Sequence, residues 1–194
     1  SPPVDVSKTP SPSTHAVAAK GSLVATVIAA VIGFCTWATV FGLKNAGIIF
    51  DVGNDYSKGL SETFTQSFEA LGGKIIANEG YPSGTTDFKA QLTKIVQAKP
   101  ECLYIPAYYS DVGLITKQAR ELGFKGTFVG VDGWDSSDLV KIGGDSVEGG
   151  IFTNHYSKDD ASEVVQSFVK KYTEKYGAAP DALAALAYDA TNIL

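Results

Sequence analysis

From Ala46 onward, short apolar runs alternate with amphipathic stretches, and this alternation restricts the chain to one fold class. The runs AGIIF (46–50), KIIA (74–77), CLYIPA (102–107), TFVGV (127–131) and GIFT (150–153) are too short for helices and rich in Ile, Val, Phe and Tyr. They predict five strands. Between them lie helical patterns. Ser57 is a suitable N-cap for a face made of Leu60, Phe64, Phe68 and Leu71, which Gly72 and Gly73 end. Asp87 precedes Phe88, Leu92, Ile95 and Val96; Asp111 precedes Leu114, Ile115 and Leu122, with Gly123 as the stop. A shorter helix is expected over 137–142. Strands and helices alternating at roughly 25-residue intervals imply right-handed βαβ crossovers. The expected fold is therefore α/β, a three-layer lobe around a mainly parallel sheet covered on both faces.

After Tyr156 the alternation stops. Val164, Val165, Phe168, Val169 and Tyr172 mark a long helix ending near Gly177, and Pro180 opens another over 181–194. The expected division is a lobe over 44–157 followed by helices over 158–194. With 194 residues the chain can bury one good core and hardly two.

The N-terminal region reads differently. Residues 1–21 are rich in Pro, Ser, Thr and Ala and suit a linker or the edge of something larger. The segment 22–43 is apolar, and residues 23–42 carry no charge over about the length that spans a bilayer core. Four readings stay open there: a membrane anchor, a buried or aberrant crossing segment, a cleavable signal following Lys20, and a lipoprotein signal at Cys35. Cys35 and Cys102 imply neither a disulfide framework nor a metal site.

A net charge of −5, with lysines scattered among acidic residues, argues against a nucleic-acid partner, which needs clustered Lys and Arg. Catalysis lacks a signature. His15 and His155 are isolated, no G-x-S-x-G elbow occurs, and Gly72-Gly73 follows a helix and not a strand. His155 reads most simply as a polar residue at a strand end.

In open parallel sheets ligands bind beyond the carboxyl ends of the strands. The loops there hold Asp51, Asp55 and Tyr56; Glu79 and Tyr81; Tyr108 and Tyr109; Asp132 and Trp134; Asn154, His155 and Tyr156. Tyrosines and tryptophan supply rigid contact area with a polar tip, and a carboxylate such as Asp132 beside them would pair with an ammonium. Taken singly, strand-end tyrosines also serve to cover a sheet edge, and aspartates after strands cap helices.

The segments DVGNDYSKGL (51–60), GTTDFKAQLTKI (84–95), IPAYYSDVG (105–113), FVGVDGWDSSDLV (128–140) and the terminal APDALAALAYDATNIL resemble, in order and spacing, the second lobe of type I periplasmic solute-binding proteins of the leucine/isoleucine/valine type. The resemblance covers about residues 44–194 and implies a Rossmann-like lobe whose first-lobe partner is largely missing from this chain. It implies no enzyme and no cofactor, but a receptor that closes on a branched-chain amino acid or related amino acid or amide and presents it to the membrane subunits of an ABC importer, outside the cytoplasm. It carries ligand-binding roles to Tyr56, Tyr108 and Asp132, the last two facing the ligand ammonium; Trp134 joins them as the aromatic residue nearest Asp132. The acid is Asp where some members carry Glu. Two other classes remain: a ligand-sensing domain of a membrane receptor, if 23–42 spans a bilayer, and a flavodoxin-like or receiver-type enzyme built on Asp51 and Asp55.

Overall fold

The five expected strands pair into one sheet. The structure is a computed structural model describing residues 42–193; the expectations for 1–21 and for 22–43 lie outside the described residues, apart from positions 42 and 43. Among the described residues no helix is long and apolar enough to cross a membrane. The strands are β1 (Asn45–Asp51), β2 (Lys74–Tyr81), β3 (Cys102–Tyr104), β4 (Thr127–Gly130) and β5 (Ile151–Phe152). Their order is β2-β1-β3-β4-β5, and every neighbouring pair is parallel. The chain leaves β1 toward β2 and then returns to place β3 on the other side of β1. That reversal opens a crevice between the loops after β1 and β3, the usual ligand position in open α/β sheets.

Among the described residues six α-helices accompany the strands: α1 (Asp55–Ala70), α2 (Lys89–Ala98), α3 (Tyr109–Glu121), α4 (Ser137–Gly143), α5 (Glu163–Tyr176) and α6 (Ala182–Ile193). The two-residue side-chain period of the strands sorts the core into two layers. Ala46, Ile48, Cys102, Tyr104 and Val129 face Leu60, Phe64 and Phe68 of α1. Ile49, Leu103 and Phe128 face the opposite way, with Leu92 and Ile95 of α2 and Val112, Ile115 and Ala119 of α3. Phe64 and Phe68 are fully buried, and each such ring contributes roughly 1.5–3 kcal/mol by leaving water. Phe64 also stacks on Tyr104 at 4.0 Å between centroids.

Three local expectations are corrected. Asn54, not Ser57, caps α1: its Oδ1 accepts from the N–H groups of Tyr56 (3.0 Å) and Ser57 (3.3 Å). Ser57 sits inside the first turn, buried, where its hydroxyl accepts the N–H of Asp51 at 2.9 Å. Helix α3 starts before Asp111, at Tyr109, which leaves the Asp111 carboxylate to accept the Tyr81 hydroxyl at 2.9 Å. Strand β2 runs four residues past the apolar run 74–77, because its polar half pairs with β1 as far as Asp51↔Tyr81.

Candidate ligand-binding edge

Tyr56, Tyr108 and Asp132 arrive at one place from three different crossovers. The Asn54 cap fixes the first turn of α1 and with it Tyr56. Tyr108 is the extended residue immediately before α3. Asp132 opens a single 3₁₀ turn, Asp132–Trp134, directly after β4. The Tyr56 hydroxyl donates to Asp132 Oδ1 at 2.8 Å, and its ring stacks on Tyr108 with centroids 5.2 Å apart and planes 18° from parallel. Tyr108 is 42% exposed, so the stack presents an open aromatic face.

Burial, and next the negative charge of Asp132, hold the Tyr56 hydroxyl well above the ordinary tyrosine range. It therefore remains a donor and orients the carboxylate. The same oxygen accepts the N–H of Gly133 at 3.3 Å. Gly133 has no room for a side chain: a Cβ there would lie 2.9 Å from the Ala107 carbonyl oxygen and 3.2 Å from the Tyr56 hydroxyl. The turn can press against both tyrosines only because that residue is glycine.

Trp134 takes a different position. It is 2% exposed, packs in the core layer with Leu103 and Phe128, and donates its indole N–H to the Ile105 carbonyl at 2.9 Å. Its ring lies on Gly130, where a Cβ would collide with it. The indole thus anchors the turn that carries Asp132 from beneath, with almost no surface left to touch a solute.

The loops after β4 and β5 are tied together through Asp135. Its Oδ2 accepts from Asn154 Nδ2 and from the N–H of Ala182, each at 2.9 Å. Asn154 Oδ1 in turn accepts the His155 N–H at 2.9 Å, and the imidazole Nδ1 stands 3.9 Å from Asp132 Oδ2. The sequence alone marks His155 only as a polar residue at a strand end and assigns Asp135 and Gly133 no role. The three-residue spacing of Asp132 and Asp135 is the signal the sequence offers, because a single 3₁₀ turn joins the two.

The other rim residues divide. Asp51 accepts from Ser83 Oγ and from the Gly53 N–H, stitching the loops after β1 and β2. Tyr81 is fully buried, and burial together with Asp111 raises its hydroxyl above the usual range. Glu79 pairs with Lys94 at 2.8 Å. Tyr156 reaches the Pro180 carbonyl at 3.5 Å. Among the described residues no group of three or more His, Cys, Asp and Glu could hold a metal ion.

An open parallel sheet packed on both faces by helices, with an aromatic and acidic patch at the carboxyl ends of its strands, defines a Rossmann-like α/β lobe. The chain belongs to the periplasmic binding protein family, whose sequence model matches residues 9–194. It is 34% identical over 142 residues to the Leu/Ile/Val-binding protein BraC3 of Rhizobium johnstonii, covering 73% of this chain and 35% of that protein. Among solved structures, the leucine-binding protein LivK of Thermotoga maritima superposes with a TM-score of 0.81 at 41% identity, over 86% of this chain and 48% of that one. The branched-chain amino acid transporter substrate-binding protein LivJ of Streptococcus pneumoniae, in complex with isoleucine, superposes with a TM-score of 0.73 at 30% identity, over 84% and 47%. The chain thus spans about a third of that curated relative and about half of each solved one.

Proposed function

We propose that this chain contributes the second ligand-binding lobe of an extracytoplasmic solute-binding component of an ABC importer, and that the solute is a branched-chain amino acid or a related amino acid or amide. The carrying observation is the convergence of Tyr56, Tyr108 and Asp132: a carboxylate oriented by a tyrosine hydroxyl, beside an exposed aromatic face. In this reading the ligand ammonium docks on Asp132 and the aliphatic body lies near the tyrosine pair. Trp134 acts from below as the support of the Asp132 turn. The similarity to a Leu/Ile/Val-binding and a leucine-binding protein supports the choice of ligand.

The proposed division gives residues 44–157 to the lobe and 158–194 to helices that lead toward a facing lobe. In this reading the lobe forms one wall of a cleft, and closure of a facing lobe completes the enclosure of the ligand. The module binds and does not turn over its ligand; its remaining partners are the importer's membrane subunits. Carbonate washing of a membrane fraction tests attachment through residues 23–42: retention of the chain supports an anchor there and release argues against it.

The test is a thermal-shift and calorimetric screen of leucine, isoleucine, valine and short amides, repeated on Asp132→Ala. Stabilisation by leucine that disappears in the variant supports the reading. Stabilisation that is indifferent to Asp132→Ala removes Asp132 from the site.

A further inference from the structure

We propose that His155 is a fourth ligand-contacting residue, which accepts a hydrogen bond from the same ammonium that docks on Asp132. The inference rests on the reading of the site given above. His155 Nδ1 and Asp132 Oδ2 are 3.9 Å apart, too far for a hydrogen bond between them and close enough for one donor to serve both. A nitrogen about 2.8–3.0 Å from each atom subtends an angle of roughly 85° at itself. Two N–H directions of a tetrahedral ammonium meet that requirement with a bend of roughly 12° on each hydrogen bond, inside the favourable range.

The other oxygen of the carboxylate, Oδ1, is already engaged by the Tyr56 hydroxyl at 2.8 Å. An incoming donor is therefore directed to Oδ2, on the side where His155 stands. The imidazole can act as an acceptor at Nδ1 in the neutral tautomer that carries its proton on Nε2.

The position of His155 is built. Its backbone N–H donates to Asn154 Oδ1 at 2.9 Å, Asn154 Nδ2 donates to Asp135 Oδ2 at 2.9 Å, and the same Asp135 oxygen holds the first N–H of α6. Asp135 lies one buried turn from Asp132. The two groups that would share the ammonium are thus referenced to one short segment instead of two independent loops. The selectivity that follows is for a primary ammonium: the second acceptor rewards a ligand with two N–H bonds to give on that side, and adds nothing for a ligand that lacks the amino group.

The experiment compares L-leucine with 4-methylpentanoate, the same skeleton without its amino group, by NMR titration of the full chain and of His155→Ala, His155→Gln and Asp132→Asn. His155→Ala is expected to weaken leucine about fivefold to thirtyfold, the loss of one hydrogen bond from a charged donor that water partly replaces, while 4-methylpentanoate changes less than about twofold. His155→Gln, whose side-chain oxygen can accept, recovers part of the loss. Equal weakening of both compounds, or unchanged leucine affinity in His155→Ala, overturns the assignment. Should Asp132→Asn weaken leucine while His155→Ala does not, the inference about His155 fails alone and the site stands. Should leucine shift no signals in the unaltered chain, or should Asp132→Asn leave its affinity unchanged, the site reading fails and this inference with it.

Discussion

Replacing Tyr56 by Phe removes one oxygen and leaves the ring stack on Tyr108 in place, so it isolates the hydroxyl that orients Asp132. That hydroxyl makes two bonds: it donates to Asp132 Oδ1 at 2.8 Å and accepts from the Gly133 N–H at 3.3 Å. A hydrogen bond to a charged group contributes roughly 1.5–3 kcal/mol. The Asp132 side chain keeps 20% exposure, so water replaces part of the lost partner; the expected net loss is about 1–2 kcal/mol. For a chain of this length that corresponds to a fall in Tm of roughly 2–8 °C. The assay is urea and thermal unfolding of the four members of a cycle: parent, Tyr56→Phe, Asp132→Asn and the double variant. A coupling of about 1 kcal/mol is expected. The alkaline limb gives an independent reading. Because the folded environment raises the Tyr56 hydroxyl, its contribution is fully present below the ordinary tyrosine value of about 10 and is lost as the pH climbs toward the folded value. Above about pH 10 the parent should thus lose stability faster than Tyr56→Phe. A coupling within error of zero, with matching alkaline limbs, refutes the argument that this hydroxyl holds the carboxylate.

Gly133→Ala should cost about 1–3 kcal/mol, because the new methyl meets the Ala107 carbonyl and both tyrosines; chemical denaturation measures it, and a loss below a few tenths would show that the turn can move. Trp134→Phe removes the indole bond to Ile105 and leaves a gap over Gly130, an expected loss of about 2–4 kcal/mol read from the urea midpoint. The Lys44 and Asn45 N–H groups hold the Glu101 carboxyl below its usual range, so its contribution is present above the unfolded value and lost as the pH falls through the folded one. Glu101→Gln should accordingly show a shallower acid-unfolding limb than the parent.

The sheet was legible in the sequence because its strands are apolar on both faces and stand out as short uninterrupted runs, AGIIF and CLYIPA above all. The polar second half of β2 was not, since edge pairing with β1 and not hydrophobicity defines it. Helix starts were legible only to within a few residues. Asn54, Ser57 and Asp111 are all competent caps, and what decides among them is tertiary: the Asp51 N–H claims Ser57, and the Tyr81 hydroxyl claims Asp111. The meeting of Tyr56, Tyr108 and Asp132 was readable from topology, because parallel crossovers deliver every strand-end loop to one edge. Which of two neighbouring aromatic or polar groups turns outward was not. Trp134 goes under the turn because Gly130 leaves space for an indole there, and His155 approaches Asp132 through the Asn154–Asp135 bridge, a relation between side chains that no periodicity encodes.

The most direct test of the binding edge is an amide chemical-shift map of the isotope-labelled chain titrated with L-leucine. The account predicts saturable changes grouped at residues 54–57, 107–109, 131–135 and 154–156, with those at 131–135 lost in Asp132→Asn. Changes concentrated at the opposite ends of the strands, or on α2 and α3, would contradict it.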